Sequence, residues 1–226
     1  MSKEQDQPIV DVRQVYGKTE KYIEDNKKSL TVIVVAIVII VVLYFGYLKL
    51  WIGPQEEEAR GQMFMAERWF EKDSLRLAVN GDGNFLGFKD IIDQYGATPS
   101  SNLAHYYLGI SYLKQKEYEN AIETLKGFDD DDEVLYSIAN GAIGDAYTEL
   151  NNPADALSYY LSAANDKKNN FTSPVYLMKA ARTYEDLGKW KEAVNLYDRL
   201  KKEYSNTQEG RDAEKYMARA KAEGGK

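Results

Sequence analysis

From Leu30 to Leu48 the chain carries no charged residue: LTVIVVAIVIIVVLYFGYL. Extending the run to Ile52 adds only Lys49. At about 1.5 Å of rise per residue, roughly 20 apolar residues cross the hydrocarbon of a bilayer. The run is rich in Val and Ile, a poor choice for an isolated helix in water. In lipid the backbone must satisfy its own hydrogen bonds, so it is forced into a helix regardless of propensity. Tyr44, Tyr47 and Trp51 gather at the far end, where an interfacial aromatic belt belongs, and Lys49 can snorkel there. A cleaved signal peptide has a shorter apolar core followed by small residues. Here Tyr47, Lys49 and Trp51 follow instead. The sequence therefore predicts one membrane span at residues 30–52, with a short tail (1–29) before it and a water-facing domain (53–226) after it.

Orientation is read from the flanking cations. Lys3, Arg13, Lys18, Lys21, Lys27 and Lys28 precede the span, and Lys49 and Arg60 follow it. The positive-inside rule puts the tail in the cytoplasm and the larger domain across the membrane. The tail is expected to be partly helical from Val10 to Asn26.

Outside this run the chain is polar; its 226 residues together carry a net charge of −7 and no Cys. Disulfides, thiolate zinc sites and Cys nucleophiles are excluded together. His105 is the single His, which excludes multi-His metal centres. The acidic balance argues against nucleic acid, whose phosphates call for clustered Lys and Arg.

Beyond the span the sequence repeats itself. LGISYLKQKEYENAIETL, from Leu108, is answered by IGDAYTELNNPADALSYYLSAA, from Ile143. Gly109, Tyr112 and Ala121 match Gly144, Tyr147 and Ala156, 35 residues on. Ala181, Tyr184 and Ala193 begin a third copy after a further 37. A small residue lets two antiparallel helices approach, the aromatic three positions later fills the adjoining gap, and the Ala does the same on the second helix. A helix pair of this kind cannot bury its face alone, so copies must stack. Upstream, Pro54–Val79 is expected as one long helix, NGDGN as a turn and Phe85–Tyr95 as a second helix, together a degenerate first repeat. Thr207–Ala222 is expected as a polar capping helix. The predicted fold is all-α: one transmembrane helix, then an α-solenoid of about four helix pairs and a cap.

These repeats resemble the tetratricopeptide repeat, in the small/Tyr pairing of the first helix and the Ala-x3-aromatic pattern of the second. The resemblance implies a concave face lined by the first helix of each pair. In this chain that face would present Leu103, Tyr106, Ile110, Leu113 and Lys114, then Ile138, Asp145 and Glu149, then Val175, Met178, Arg182 and Glu185. Repeats of this family that clamp a peptide carboxylate use Lys, Arg and Asn here. Asp145, Glu149 and Glu185 oppose an anion, so the expected partner is a protein segment or surface with apolar and basic features.

Other candidates are weaker. His105 is expected to be a packing residue. FDDDDE (Phe128–Glu133) lacks the alternating ligands and central Gly of a calcium loop, and is expected to cap the next helix. NGDGN lacks the strand and Lys of a phosphate loop. Asn170-Phe171-Thr172 matches a glycosylation sequon in a loop. No nucleophile–base pair or acid pair emerges, so no enzyme activity, cofactor or metal is expected.

A short tail, one span and an exported repeat array of this size resemble, in layout, the YfgM type of ancillary subunit of the SecYEG translocon. That resemblance implies an inner-membrane protein whose periplasmic repeats bind a PpiD-like membrane-anchored chaperone and, with it, SecYEG. The ending YDRLKKEYSNTQEGRDA is similar to repeats of outer-membrane assembly lipoproteins such as BamD, which carry a lipidated Cys that this chain lacks. Scaffolding another envelope complex (secretion, outer-membrane assembly or cell wall), or regulation through the cytoplasmic tail, are the alternatives.

Overall fold

The computed structural model describes residues 23–225. The start of the expected tail helix, and Lys3, Arg13, Lys18 and Lys21, lie outside the described residues. The chain divides into two compact units, one ending at Pro54 and one running from Gln55 to Lys226.

The first unit holds α1 (Lys27–Tyr47) and a π-helical turn, Leu48–Ile52. No residue of α1 is buried. Val32 to Phe45 present a continuous apolar surface, far more than a soluble monomer leaves in water. Near its start the Thr31 hydroxyl donates to the Lys27 carbonyl at 2.8 Å, so it needs no water. Among the described residues, this is the one helix long and apolar enough to cross a membrane.

The second unit is all helical among its described residues. It contains most of α2 (Gly53–Glu71), then α3 (Leu75–Asn80), α4 (Phe88–Tyr95), α5 (Pro99–Lys114), α6 (Tyr118–Leu125), α7 (Glu133–Glu149), α8 (Pro153–Asn165), α9 (Ser173–Asp186), α10 (Trp190–Glu203) and α11 (Gln208–Gly224). Neighbours in sequence pack as antiparallel pairs from α4 onward, and α11 closes the end against α10.

The expected single helix over Pro54–Val79 is broken, and the break is informative. The helix stops at Glu71 because Asp73 takes a left-handed conformation (φ 56°). The Asp73 N–H then donates to the Phe70 carbonyl at 2.9 Å and the Ser74 N–H to the Trp69 carbonyl at 2.8 Å. This is a Schellman ending, in which the left-handed residue lets the chain close its last carbonyls before turning. The same ending recurs at Lys116 (φ 66°), Asn151 (φ 57°) and Gly188 (φ 68°). Each has the matching bond from the next residue's N–H to the Tyr112, Tyr147 or Tyr184 carbonyl. Counting from these turns, Ala66, Trp69 and Ala78 occupy the places of Gly109, Tyr112 and Ala121. Ala66 and Ala78 are both fully buried, as are Ala121, Ala156 and Ala193. The first pair is thus in register with the rest, turning at Lys72–Ser74 rather than at NGDGN.

What departs from the repeat is its second helix, split into α3 and α4. The Asp82 carboxylate accepts the Asn84 and Phe85 N–H groups, both at 2.9 Å, and these bonds hold its pKa below the usual carboxylate value. Phe85 and Leu86 are consumed by this loop, so α4 begins three residues later than expected.

Three apolar clusters form the core. The first joins α2 to α5 through Met63, Phe88 and Ile91. The second centres on Ile122, Leu125, Phe128 and Ile143. The third runs through Tyr160, Leu177, Tyr197 and Leu200 to Ala220. Tyr147 packs against both the second and third, so the core is continuous between them. The small residues act as anticipated: a Cβ on Gly109 would lie 2.4 Å from Leu125 Cγ, and one on Gly144 would lie 2.6 Å from Tyr160 Cε1.

Caps fix where helices begin. Thr98 Oγ1 accepts from the Ser101 N–H at 3.1 Å, and Thr207 Oγ1 from the Gly210 N–H at 3.1 Å. Asp132, within the acidic run, accepts the Val134 and Leu135 N–H groups at 2.8 and 2.9 Å, the capping role expected of that run. Its neighbours are occupied too: the Asp129 N–H donates to the Asn102 side chain, and the Asp131 carboxylate pairs with Lys167.

Candidate protein-binding face

First helices of adjacent pairs touch each other, α5 with α7 and α9 with α11. This crowding marks their side of the array as the inner face, the place where the sequence put its candidate residues.

On α5, Leu103 packs partly buried against the first cluster. Tyr106, Ile110 and Leu113 pack partly buried against the second, with the Tyr106 ring 5.5 Å from that of Phe128. Lys114 pairs with Asp73 at 3.2 Å and lies over the Phe70 ring at 4.9 Å. Ile138 and Val175 are half-buried. Met178 is only 6% exposed and belongs to the third cluster, so packing rather than solvent claims it. His105 is half-buried, with Nδ1 3.0 Å from the Ser101 carbonyl and its ring against Gly127.

Two of the three acids named from the sequence, Asp145 and Glu185, are paired with cations of the next repeat, and the third, Glu149, meets a hydroxyl. Lys179 donates to both Asp145 oxygens at 2.6 and 2.8 Å, and the Tyr160 hydroxyl donates to Asp145 Oδ1 at 2.6 Å. Burial, with this bond, pushes the Tyr160 phenol well above its usual range, so it stays a neutral donor. Arg219 pairs with Glu185, and Arg182 donates to the Tyr216 hydroxyl at 3.2 Å while lying over that ring. The Tyr118 hydroxyl donates to Glu149 at 3.0 Å. Both ion pairs join residues 34 apart, one repeat length, so they tie one first helix to the next.

Two clefts open along α5 and α7. One, of about 340 Å³, gathers four of the candidates, Leu113, Lys114, Asp145 and Glu149, with Tyr118 and Tyr160. The other, of about 450 Å³, lies between α2 and the N-terminal parts of α5 and α7 and contains one candidate, Leu103. Its α2 wall carries none of the candidates, since that helix was read only as part of a degenerate first repeat. Glu56 fastens this wall: its carboxylate accepts the Ser100 N–H at 2.9 Å and the Ser100 hydroxyl at 3.0 Å, capping α5 from outside. The small residue Gly141 and the cations Lys179 and Arg219 were also missed. The signal that finds the cations is opposite charge at the repeat spacing, Asp145 with Lys179 and Glu185 with Arg219. Among the described residues, no cluster of His, Cys, Asp and Glu could hold a metal ion.

Residues 88–133 and residues 176–207 each match a tetratricopeptide-repeat family profile. No curated protein matches the chain in sequence. Among solved structures, the chain is similar to a kinesin light chain protein from Podosopora anserina described as having nearly identical TPR-like repeats, and to a variant of it. For both, the TM-score is 0.55, the identity 15%, and the match covers 75% of this chain and 88% of the other. At that identity the likeness establishes the fold alone: the second unit is a tetratricopeptide-type α-solenoid, a fold that typically serves as a scaffold for protein–protein interaction.

Proposed function

We propose that this protein is a membrane-anchored, non-catalytic protein-binding scaffold, serving as an accessory subunit of the SecYEG translocon and working with a PpiD-like chaperone on exported proteins. In this reading residues 1–29 lie in the cytoplasm, residues 30–52 cross the inner membrane, and residues 53–226 lie in the periplasm. The carrying observation is a repeat array with clefts on its inner face, in the same chain as a helix with no buried residue and the length of a bilayer. The translocon itself rests on the similarity of this layout to the YfgM type. Anchoring would keep the repeat array near the membrane, where a channel releases its substrates, and raise its effective concentration there.

The test is mild crosslinking of the tagged full-length chain, purification in gentle detergent and mass spectrometry. Recovery of SecY with a PpiD-like chaperone is the expected result. Enrichment of a different envelope complex without either would overturn the translocon assignment and leave the anchored scaffold. Protease digestion of spheroplasts checks the orientation: residues after Ile52 should be cut and the tail protected.

A further inference from the structure

The cleft between α2, α5 and α7 differs from the rest of the inner face in how its charges are used. Met63 and Leu103 form its apolar floor with Leu135, and Phe64 stands at its edge, 59% exposed. Apart from the Arg68 guanidinium, 6.0 Å from its centroid, this ring stands in water at the rim of an apolar cleft, a placement that suits an anchor for an occupant. Around it stand three carboxylates and one lining cation. Arg60 is already bonded to Glu56 at 3.1 Å, and Glu56 is satisfied by Ser100. Glu67, partly buried on α2, has no cation within ion-pair distance among the described residues, and burial together with Glu71 raises its pKa. Among the described residues, the Asp130 carboxylate accepts only the Asp132 N–H; Lys167 bonds the Asp130 carbonyl and the Asp131 carboxylate instead. The cleft therefore offers an apolar floor and two acids short of a cation.

We infer that this cleft docks a segment of a partner protein in which a large apolar residue is flanked by Lys or Arg. The apolar side chain would sit among Phe64, Leu103 and Leu135, and the cation would reach Glu67 and Asp130, relieving a charge now held in a partly desolvated place. This rests on the scaffold reading and names the chemistry of what the scaffold holds. Of the three acids on which the basic-partner expectation rested, Asp145 and Glu185 are neutralised internally and Glu149 is not; Glu67 and Asp130 add two more without a cation.

The test uses the full-length chain in nanodiscs of zwitterionic lipid. The probe is a fluorescein-labelled dodecapeptide carrying two Lys-Phe-Leu-Lys motifs in a Gly/Ser background, compared with its Lys→Glu counterpart by anisotropy. The Lys peptide is expected to bind and the Glu peptide not. Phe64→Ala and Glu67→Lys should each weaken the Lys peptide by about tenfold or more, the scale of losing a central anchor. Phe85→Ala and Phe171→Ala, exposed aromatics outside the cleft, should leave it unchanged. Equal binding of both peptides, or indifference to Phe64→Ala, overturns the assignment. A photocrosslinker placed at position 64, and separately at 149, distinguishes this failure from that of the scaffold reading. Capture of SecY or the chaperone from 149 but not 64 would overturn only the cleft; capture from neither would overturn both.

Discussion

The two ends of the inner face solve the same packing problem with different charge arrangements. Toward the C-terminus, α7, α9 and α11 are laced together by Asp145 with Lys179 and Glu185 with Arg219, over the stacked rings of Tyr160 with Tyr176 and Tyr197 with Tyr216. Toward the N-terminus, α2 is pinned to α5 by a hydrogen-bonded cap from Glu56, Phe64 is exposed with only Arg68 over its ring, and the partly buried Glu67 has no cation within ion-pair distance among the described residues. One end has used its polar groups to hold itself together. The other has held itself together with fewer and kept some in reserve. A scaffold needs both, because a docking surface is useful only on a rigid support.

The sharpest way to break this contrast is to truncate one aromatic at each end. Tyr197 is fully buried, and Tyr197→Ala should cost about 3–5 kcal/mol in urea unfolding followed by Trp fluorescence. Phe64→Ala should cost less than about 0.5 kcal/mol, as for an exposed residue. A loss from Phe64→Ala rivalling that from Tyr197→Ala would make Phe64 part of the core and end the comparison.

Glycine replacements come next in size. A Cβ on Gly141 would fall 1.9 Å from Tyr176 Cε1, so α7 and α9 must separate or the ring must turn. Gly141→Ala should destabilise by about 1–3 kcal/mol. Gly61, inside α2, has nothing within 4 Å of its would-be Cβ, so Gly61→Ala should stabilise by about 0.5–1 kcal/mol through helix propensity. Opposite signs in thermal unfolding support the difference in packing; the same sign would refute it.

A double-mutant cycle on Asp145→Asn and Lys179→Met measures the lacing itself. Both side chains are more than a third exposed, so the coupling should be only about 0.2–1 kcal/mol and should fall as salt is added. No coupling would mean that the aromatic stacks alone join α7 to α9.

The smallest effect is a difference in pH dependence. Burial and Glu71 raise the folded pKa of Glu67, so its contribution is most favourable when protonated and is lost as pH rises through that value. Glu67→Gln should therefore raise the melting temperature near neutral pH and lose that advantage in acid. Glu203 has the reverse sign. Hydrogen bonds from Lys168 and Arg199 lower its pKa, so its contribution is present above the unfolded carboxylate value and lost as pH falls through the folded one. Glu203→Gln should lower the melting temperature near neutral pH and be neutral in acid. Parallel shifts in the two variants would contradict these environments.

The repeats were legible because their small, aromatic and Ala positions recur with a fixed phase, and the aromatic at Tyr112, Tyr147 and Tyr184 is conspicuous. The first copy was harder to see. It puts Trp69 in the Tyr place and turns on Lys72-Asp73-Ser74, which contains no Gly or Pro, so the eye carries the helix through to Val79. Lys116 shows the same thing: a left-handed ending can be occupied by an ordinary residue when the bonds to the preceding carbonyls hold it. Met178 was placed on the concave face, and it is buried there, because register assigns a residue to a face without saying how closely the next helix approaches.

What the sequence determined by itself is the part governed by local pattern: an uncharged apolar run that forms a helix long enough to cross a membrane, and helix pairs that cannot bury their faces without stacking. Only the tertiary structure decided which charges remain available. Asp145 and Lys179 are 34 residues apart and Asp130 and Glu67 are 63 apart. Whether an acid faces a cation or another acid across such a distance depends on the approach of helices from different repeats, and Coulomb energy depends on that separation and on the water left between them.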